Sequence, residues 1–193
     1  MNNVFNRPKF YYNILNEIKL PSDLIEQKKL ELSGKSMLCA WLTKLCPARC
    51  SKCFFKSNMY KELYPKEKYE ISLEGVNNLI QFINDSNNSY LMLSGGGEPM
   101  IKHDYVNKII REAKTDRIVI VTSGIWANTK MHAEKIIDEL FDSVLSRKDD
   151  AVVVLRLSID EFHESSPSIS FDYYKNIFDV FHEKYSNQKK INT

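Results

Sequence analysis

Cys46, Cys50 and Cys53 stand in the run Cys46-Pro47-Ala48-Arg49-Cys50-Ser51-Lys52-Cys53, a C-x3-C-x2-C spacing. Three thiolates this close repel one another unless a metal takes up their charge. A closed structural zinc site wants four ligands. An ordinary iron–sulfur cluster also wants four cysteines. A triad on one short loop can instead hold a 4Fe–4S cluster by three irons and leave the fourth open to a small molecule. The competing reading is a structural zinc knuckle, although zinc ribbons usually bring two C-x2-C pairs and one is present here. The remaining cysteine, Cys39, lies inside the apolar run Met37–Thr43. At ~3.3 Å per residue it falls more than ~10 Å below the end of that run. It is expected as a buried free thiol.

A second group follows another apolar run: Gly95, Gly96, Gly97, Glu98 and Pro99. Glycines let a ligand approach the backbone, and a carboxylate beside them can accept bonds from an ammonium group. Such a run also makes an ordinary tight turn. Ser158 and Asp160 can hydrogen-bond a ribose or cap the helix that follows them. Ser123 is a weaker candidate of the same kind. Arg156, inside an apolar run, needs a partner: a ligand or carboxylate on the interior face, or a structural salt bridge. His163 and Glu164 read as surface loop residues ahead of proton carriers. Phe54 and Phe55 either shield the triad from water or belong to the core.

The elements that must position these residues follow from the apolar pattern. Met37–Thr43, Tyr90–Ser94, Arg117–Thr122 and Ala151–Ser158 are apolar at nearly every position, as strands covered on both faces are. Between and after them come stripes at helical spacing. One is Leu73, Val76, Leu79, Ile80 and Ile83, with Ser72 placed as N-cap. The others are Val106, Ile109, Ile110 and Ala113; Ile136, Ile137, Leu140, Phe141 and Val144; and Tyr174, Ile177, Phe178 and Phe181. The order β-α-β-α-β-α-β-α predicts an α/β fold with a parallel sheet and right-handed crossovers. Ligands of such sheets bind at the carboxyl ends of the strands. The triad, the glycine run, Ser123-Gly124 and Ser158-Ile159-Asp160 all fall at those ends. Residues 1–36 read as a helical extension, with helices at Phe10–Ile18 and Pro21–Leu32, and 37–193 as the core domain.

Composition excludes several classes. The 193 residues carry a net charge of +2 with no basic stripe, so nucleic acid is not an expected partner. The opening MNNVFNRPKF has no apolar h-region, and the longest apolar runs are far too short to span a bilayer. Four unevenly spaced cysteines do not make a secreted disulfide framework. A cytoplasmic protein without membrane contact is expected.

The triad and Gly96-Gly97-Glu98-Pro99 together resemble the cluster loop and G-G-E-P motif of the radical S-adenosylmethionine (radical SAM) superfamily. The interval between them accommodates one helix and one strand, as in that family. The resemblance covers about residues 37–185 and implies a partial (βα) barrel. It implies that Cys46, Cys50 and Cys53 ligate a 4Fe–4S cluster whose open iron takes the amino and carboxylate groups of S-adenosylmethionine. Gly96, Gly97 and Glu98 would hold the methionine part, with Glu98 near the amino group, and Ser158 and Asp160 the ribose. One electron, from a donor such as flavodoxin or ferredoxin, would cleave the sulfonium to a 5′-deoxyadenosyl radical. That radical abstracts a hydrogen from an unknown substrate. The alternatives are a non-catalytic zinc- or cluster-binding protein, or an inactive fragment. Two departures stand out. Lys52 replaces the usual aromatic or His before the third cysteine. About four βα units are legible where the family has six, with no fifth or sixth strand before Thr193. A truncated chain is the favoured expectation, ahead of a second chain completing the barrel or N-terminal helices covering the gap.

Overall fold

The computed structural model describes residues 37–57, 65, 69–86, 88–185 and 191–192. The extension expected over residues 1–36 lies outside the described residues. Among the described residues, five parallel strands form one sheet in sequential order. They are β1 (Met37–Ala40), β2 (Tyr90–Leu93), β3 (Arg117–Thr122), β4 (Val152–Leu157) and β5 (Ile191–Asn192). The helices are α1 (Leu73–Asp85), α2 (His103–Glu112), α3 (Lys130–Leu145), the short α4 (Glu161–Glu164) and α5 (Phe171–Val180). A 3-10 turn, Pro99–Lys102, leads into α2, and a π turn, Phe181–Tyr185, continues α5.

Local chemistry starts the helices where the sequence places them. Ser72, Thr129 and Ser170 each accept a backbone N–H at the N-terminus of α1, α3 and α5. Each such cap stabilises its helix by roughly 1 kcal/mol. The apolar stripes then fix which way the helices face. The register aligns Leu38, Leu91, Ile118 and Val153 at one level and Ala40, Leu93, Ile120 and Leu155 at the next. Side chains two apart share a face, and these pack with Val76, Ile109, Ile137, Ile177 and their neighbours in one core. Sequential parallel strands with helices on one face are what crossovers of a single hand produce. The result is an α/β fold built on a parallel sheet.

The other face departs from the expectation of strands buried on both sides. Val119 and Val154 at its middle are buried, and Met92, Val121 and Arg156 are half-buried. Met37, Cys39 and Trp41 on the β1 side are exposed. The expected strand over Met37–Thr43 ends at Ala40. Cys39 therefore sits one residue from the strand's end and is an exposed thiol, not a buried one. The reason is position: β1 is the edge of the described sheet, and helices cover only its other face. Leu73 and Phe178 lie at the margins of their stripes and are exposed.

The expectation that no fifth strand precedes Thr193 is corrected as well. Ile191 and Asn192 pair in parallel with Val153 and Val154 of β4. Two residues in a polar tail carry no hydrophobic period, so this strand is invisible to pattern. Among the described residues no helix is long and apolar enough to cross a membrane.

Candidate cluster and cofactor site

The chain leaves β1 at Ala40, and Trp41–Leu45 carry it across the sheet's carboxyl end. Thr43 makes an isolated antiparallel bridge with Glu70, and Lys44 N–H donates to the Tyr69 carbonyl at 2.7 Å. Glu70 also pairs with Lys102 at 2.7 Å. These bonds tie both sides of the cysteine loop to the 3-10 turn before α2.

Within the loop the three thiols differ. Burial pushes Cys46 up to about 12, the Ala48 N–H opposes this, and the charges of Glu98, Cys50 and Cys53 add to it. Cys50 is also raised, by burial first and then by Cys53 and Asp160. Burial pushes Cys53 up too, but bonds from the Ser57 N–H and hydroxyl and from the N–H groups of Phe55 and Lys56 outweigh it. Cys53 is therefore held below the ordinary thiol value. Arg49 (φ 53°) and Lys56 (φ 49°) adopt the left-handed region, uncommon for side-chain-bearing residues. Each lies within three residues of a cysteine.

Cys46, Cys50 and Cys53 are thus brought onto one loop, close enough to act on one another electrostatically. Among the described residues no three His, Cys, Asp or Glu side chains converge on a single-ion site. One tetrahedral zinc would need its sulfurs about 3.8 Å apart, given Zn–S bonds of about 2.3 Å. A multi-iron cluster spreads its thiolates over separate irons and needs them further apart. Cys39 stays out of the group; its sulfur lies 3.7 Å from the Ser94 carbonyl oxygen.

The glycine run packs directly on this loop. Glu98 N–H donates to the Leu45 carbonyl at 2.8 Å. A Cβ at Gly97 would strike the Leu45 carbonyl, with further Leu45 backbone atoms at 2.7 Å. Gly95 (φ 80°) and Gly96 (φ 67°) take the left-handed turn under Trp41. On the side where a Cβ would stand, Gly97 is closed by the cysteine loop itself.

Glu98 is 2% exposed. Its Oε1 accepts from Met100 N–H (3.0 Å) and the Thr122 hydroxyl (2.6 Å). Its Oε2 accepts from Ser123 N–H (2.8 Å) and the Ser123 hydroxyl (2.7 Å). Ser123, weighed as a ribose candidate, is committed to Glu98 and buried.

Ser158 lies at the end of β4. Its N–H donates to the Thr122 carbonyl, its carbonyl accepts from the Tyr174 hydroxyl, and among the described residues no hydrogen bond involves its own hydroxyl. Asp160 caps α4: Oδ1 accepts from Phe162 N–H and His163 N–H and lies 2.8 Å from His163 Nδ1. Burial pushes the Asp160 carboxyl up, but the bonds and charge from His163 outweigh it and hold the group below its usual range. All three bonds fall on Oδ1, which leaves Oδ2 open to a ligand hydroxyl. Capping and ribose binding are therefore compatible. The guanidinium of Arg156, half-buried on the open face, makes no ion pair or hydrogen bond among the described residues, against the salt-bridge reading. Phe54 is 90% exposed, while Phe55 packs edge-on to Trp41 with centroids 4.7 Å apart.

A cavity of about 610 Å³ lies against the cysteine loop, lined by Cys46, Arg49, Asn128, Ser168 and Tyr173 among others. None of Gly96, Gly97, Glu98, Ser158 or Asp160 lines it, so it is not where those residues meet. Sequence reasoning missed three participants. Thr122 holds Glu98, Trp41 covers the glycine turn, and Ser166 donates its hydroxyl to the Ala48 carbonyl inside the cysteine loop. Only position gave a signal for them: Thr122 ends β3, and Ser166 follows β4, at the sheet's carboxyl end.

The family model described as the Radical SAM superfamily matches residues 42–193. No curated protein matches the chain.

Proposed function

From the chain's membership in the radical SAM superfamily, we propose that it binds a 4Fe–4S cluster and S-adenosylmethionine and works as a hydrogen-abstracting enzyme. The observation that carries this reading is the junction of its two motifs. The cysteine loop and the glycine turn lie at the same end of the sheet and are joined by the Glu98 N–H to Leu45 carbonyl bond.

In this reading Cys46, Cys50 and Cys53 hold three irons, and the residues fit that role. They sit on one loop, close enough to act on one another electrostatically. When bound, the cluster and S-adenosylmethionine supply a 5′-deoxyadenosyl radical for abstraction of a substrate hydrogen. The chain's own residues position and shield. The Gly95–Gly97 turn offers backbone groups to the methionine part, and the Ser158 hydroxyl and Asp160 Oδ2 offer bonds to the ribose. Trp41 and Phe55 exclude water on the β1 side. An electron donor such as flavodoxin or ferredoxin would reduce the cluster in a cytoplasmic setting. A second chain would extend the sheet if β5 does not end it.

Anaerobic reconstitution with iron and sulfide tests this. About four irons per chain are expected on the three-thiolate argument, and Ala at Cys46, Cys50 or Cys53 should abolish loading while Cys39→Ala does not. S-adenosylmethionine should change the electron paramagnetic resonance spectrum of the reduced cluster. A single tightly held zinc with no response to S-adenosylmethionine would instead support the non-catalytic reading.

A further inference from the structure

The carboxylate of Glu98 has about four lone-pair positions, and the four bonds described above fill them. Every donor is neutral and belongs to the chain. Three of the four can only donate. Met100 N–H and Ser123 N–H are backbone donors. The Thr122 hydroxyl already accepts from Gly124 N–H (3.2 Å) and Trp126 Nε1–H (2.9 Å), which commits its own proton to Glu98. A carboxylate 2% exposed and bonded in this way has no free lone pair for a ligand's ammonium group.

The backbone of the turn is in the opposite condition. Gly96 is buried and Gly97 half-buried. Among the described residues no hydrogen bond ends on the carbonyl oxygen of either. The Gly95 carbonyl, by contrast, is taken by Gly97 N–H at 2.8 Å. A buried backbone acceptor without a partner is uncommon and costly unless water or a ligand meets it. The acceptors left for an ammonium group are thus main-chain oxygens. Their aim depends on how firmly the turn is held.

We propose that Thr122 and Ser123 are positioning residues for the cofactor site. They grip the Glu98 carboxylate from the end of β3, and through it fix the Gly95–Gly97 turn, whose Gly96 and Gly97 carbonyls receive the ammonium group of S-adenosylmethionine. Glu98 acts as the clasp of this clamp and does not touch the ligand. The clamp explains why an acidic residue follows the glycines: only an acceptor of four bonds can gather Met100, Thr122 and Ser123 at one point. The inference rests on the S-adenosylmethionine reading given above.

The test separates a clamp from a direct ligand. Thr122→Val with Ser123→Ala strips both hydroxyl donors from Glu98 and leaves its charge in place. If Glu98 met the ammonium group itself, this would free the carboxylate and leave affinity unchanged or tighter. The clamp predicts the reverse: S-adenosylmethionine, titrated into the reconstituted chain and followed by paramagnetic resonance, should bind about tenfold more weakly or worse. Thr122→Ser keeps the hydroxyl and should restore binding where Thr122→Val does not. A second measurement needs neither cluster nor cofactor. Amide exchange at Glu98 and Met100 should speed up in the double variant while α3 stays protected, which also shows that the variant folds. Unchanged affinity in the double variant overturns the proposal, as does a loss that Thr122→Ser shares. A wild-type chain that loads its cluster and ignores S-adenosylmethionine overturns the underlying reading, and the ligand role of the clamp with it. Unchanged exchange at Glu98 and Met100 would show that the clamp does not hold the turn at all.

Discussion

Glu98 and Leu45 join the two motifs of this chain through one backbone bond: the Glu98 N–H donates to the Leu45 carbonyl at 2.8 Å. Leu45 immediately precedes the first cysteine, and Glu98 immediately follows the last glycine. The contact exists because Gly97 has no side chain to hold the strands' loops apart. The cysteine loop and the glycine turn therefore behave as one unit.

Gly97→Ala tests that unit. The new methyl would collide with the Leu45 carbonyl, which is backbone and cannot rotate away. Overpacking of this kind costs typically 1–3 kcal/mol, and a rigid neighbour places the cost toward the upper end, about 3 kcal/mol. Urea unfolding should show the loss, and iron loading should fall with it. At Gly95 the neighbour is the side chain of Trp41, which can move, so the burden there is mainly the left-handed backbone. Equal stability of wild type and Gly97→Ala would show that the two loops are independent.

The thiols should react in a fixed order. Cys53 is held below the ordinary value by its ring of donors, while burial pushes Cys46 up to about 12. The thiolate is the nucleophile. In the cluster-free chain near pH 8, iodoacetamide should therefore label Cys53 first and Cys46 last, as read by peptide mass spectrometry. Raising the pH should bring Cys53 to its plateau before Cys50 or Cys46. Ser57→Ala removes one donor and should slow Cys53. Labelling led by Cys46 would contradict this order.

Asp160 gives a pH signature. Its folded carboxyl lies below the usual range, so its contribution to stability is fully present above the unfolded value of about 3.9. That contribution fades as pH falls below about 4 and through the lowered folded value. The amide of Phe162, whose bond is to Asp160 Oδ1, should stay protected at pH 5 and lose protection below pH 4. Asp160→Ala should remove the protection at every pH and cost roughly 1 kcal/mol, as N-cap losses do. Protection of Phe162 that persists in Asp160→Ala would assign it to some other bond.

Much of this fold was legible because its signals are local. Four strands carry apolar residues at nearly every position, and four helices carry stripes that recur every three to four residues. What stayed hidden depends on distant partners or on very short elements. β5 is two residues long and has no period. Glu98 reads as a ligand in sequence, and its bonds to Thr122 and Ser123 leave no trace there because those residues lie 24 and 25 positions away. Cys39 reads as buried because an apolar run does not reveal which strand is the edge. Arg147 gave no signal at all, yet its buried guanidinium bonds the Ile110 and Thr115 carbonyls and pairs with Asp149. The motifs themselves were readable because their chemistry fixes residue type and spacing. The bonds that aim them were not.

Ser166 makes the longest-range of these bonds at the site. It is buried, and its hydroxyl donates to the carbonyl of Ala48, 118 residues away in sequence and fully buried between Cys46 and Cys50. The loop after β4 thus straps down the middle of the cysteine loop. Ser166→Ala would leave the Ala48 carbonyl buried without that donor, at a cost of roughly 1–3 kcal/mol. The cost falls on the segment between two cysteines, so cluster retention should suffer more than global unfolding. In a reconstituted chain the variant should lose iron to a chelator several-fold faster than wild type, with its melting temperature lowered by only a few degrees. Ser166→Thr keeps the hydroxyl and should hold iron better than Ser166→Ala. If the Ala variant keeps its iron as long as wild type, the strap does not steady the loop, and the bonds through Leu45 and Lys44 hold it alone.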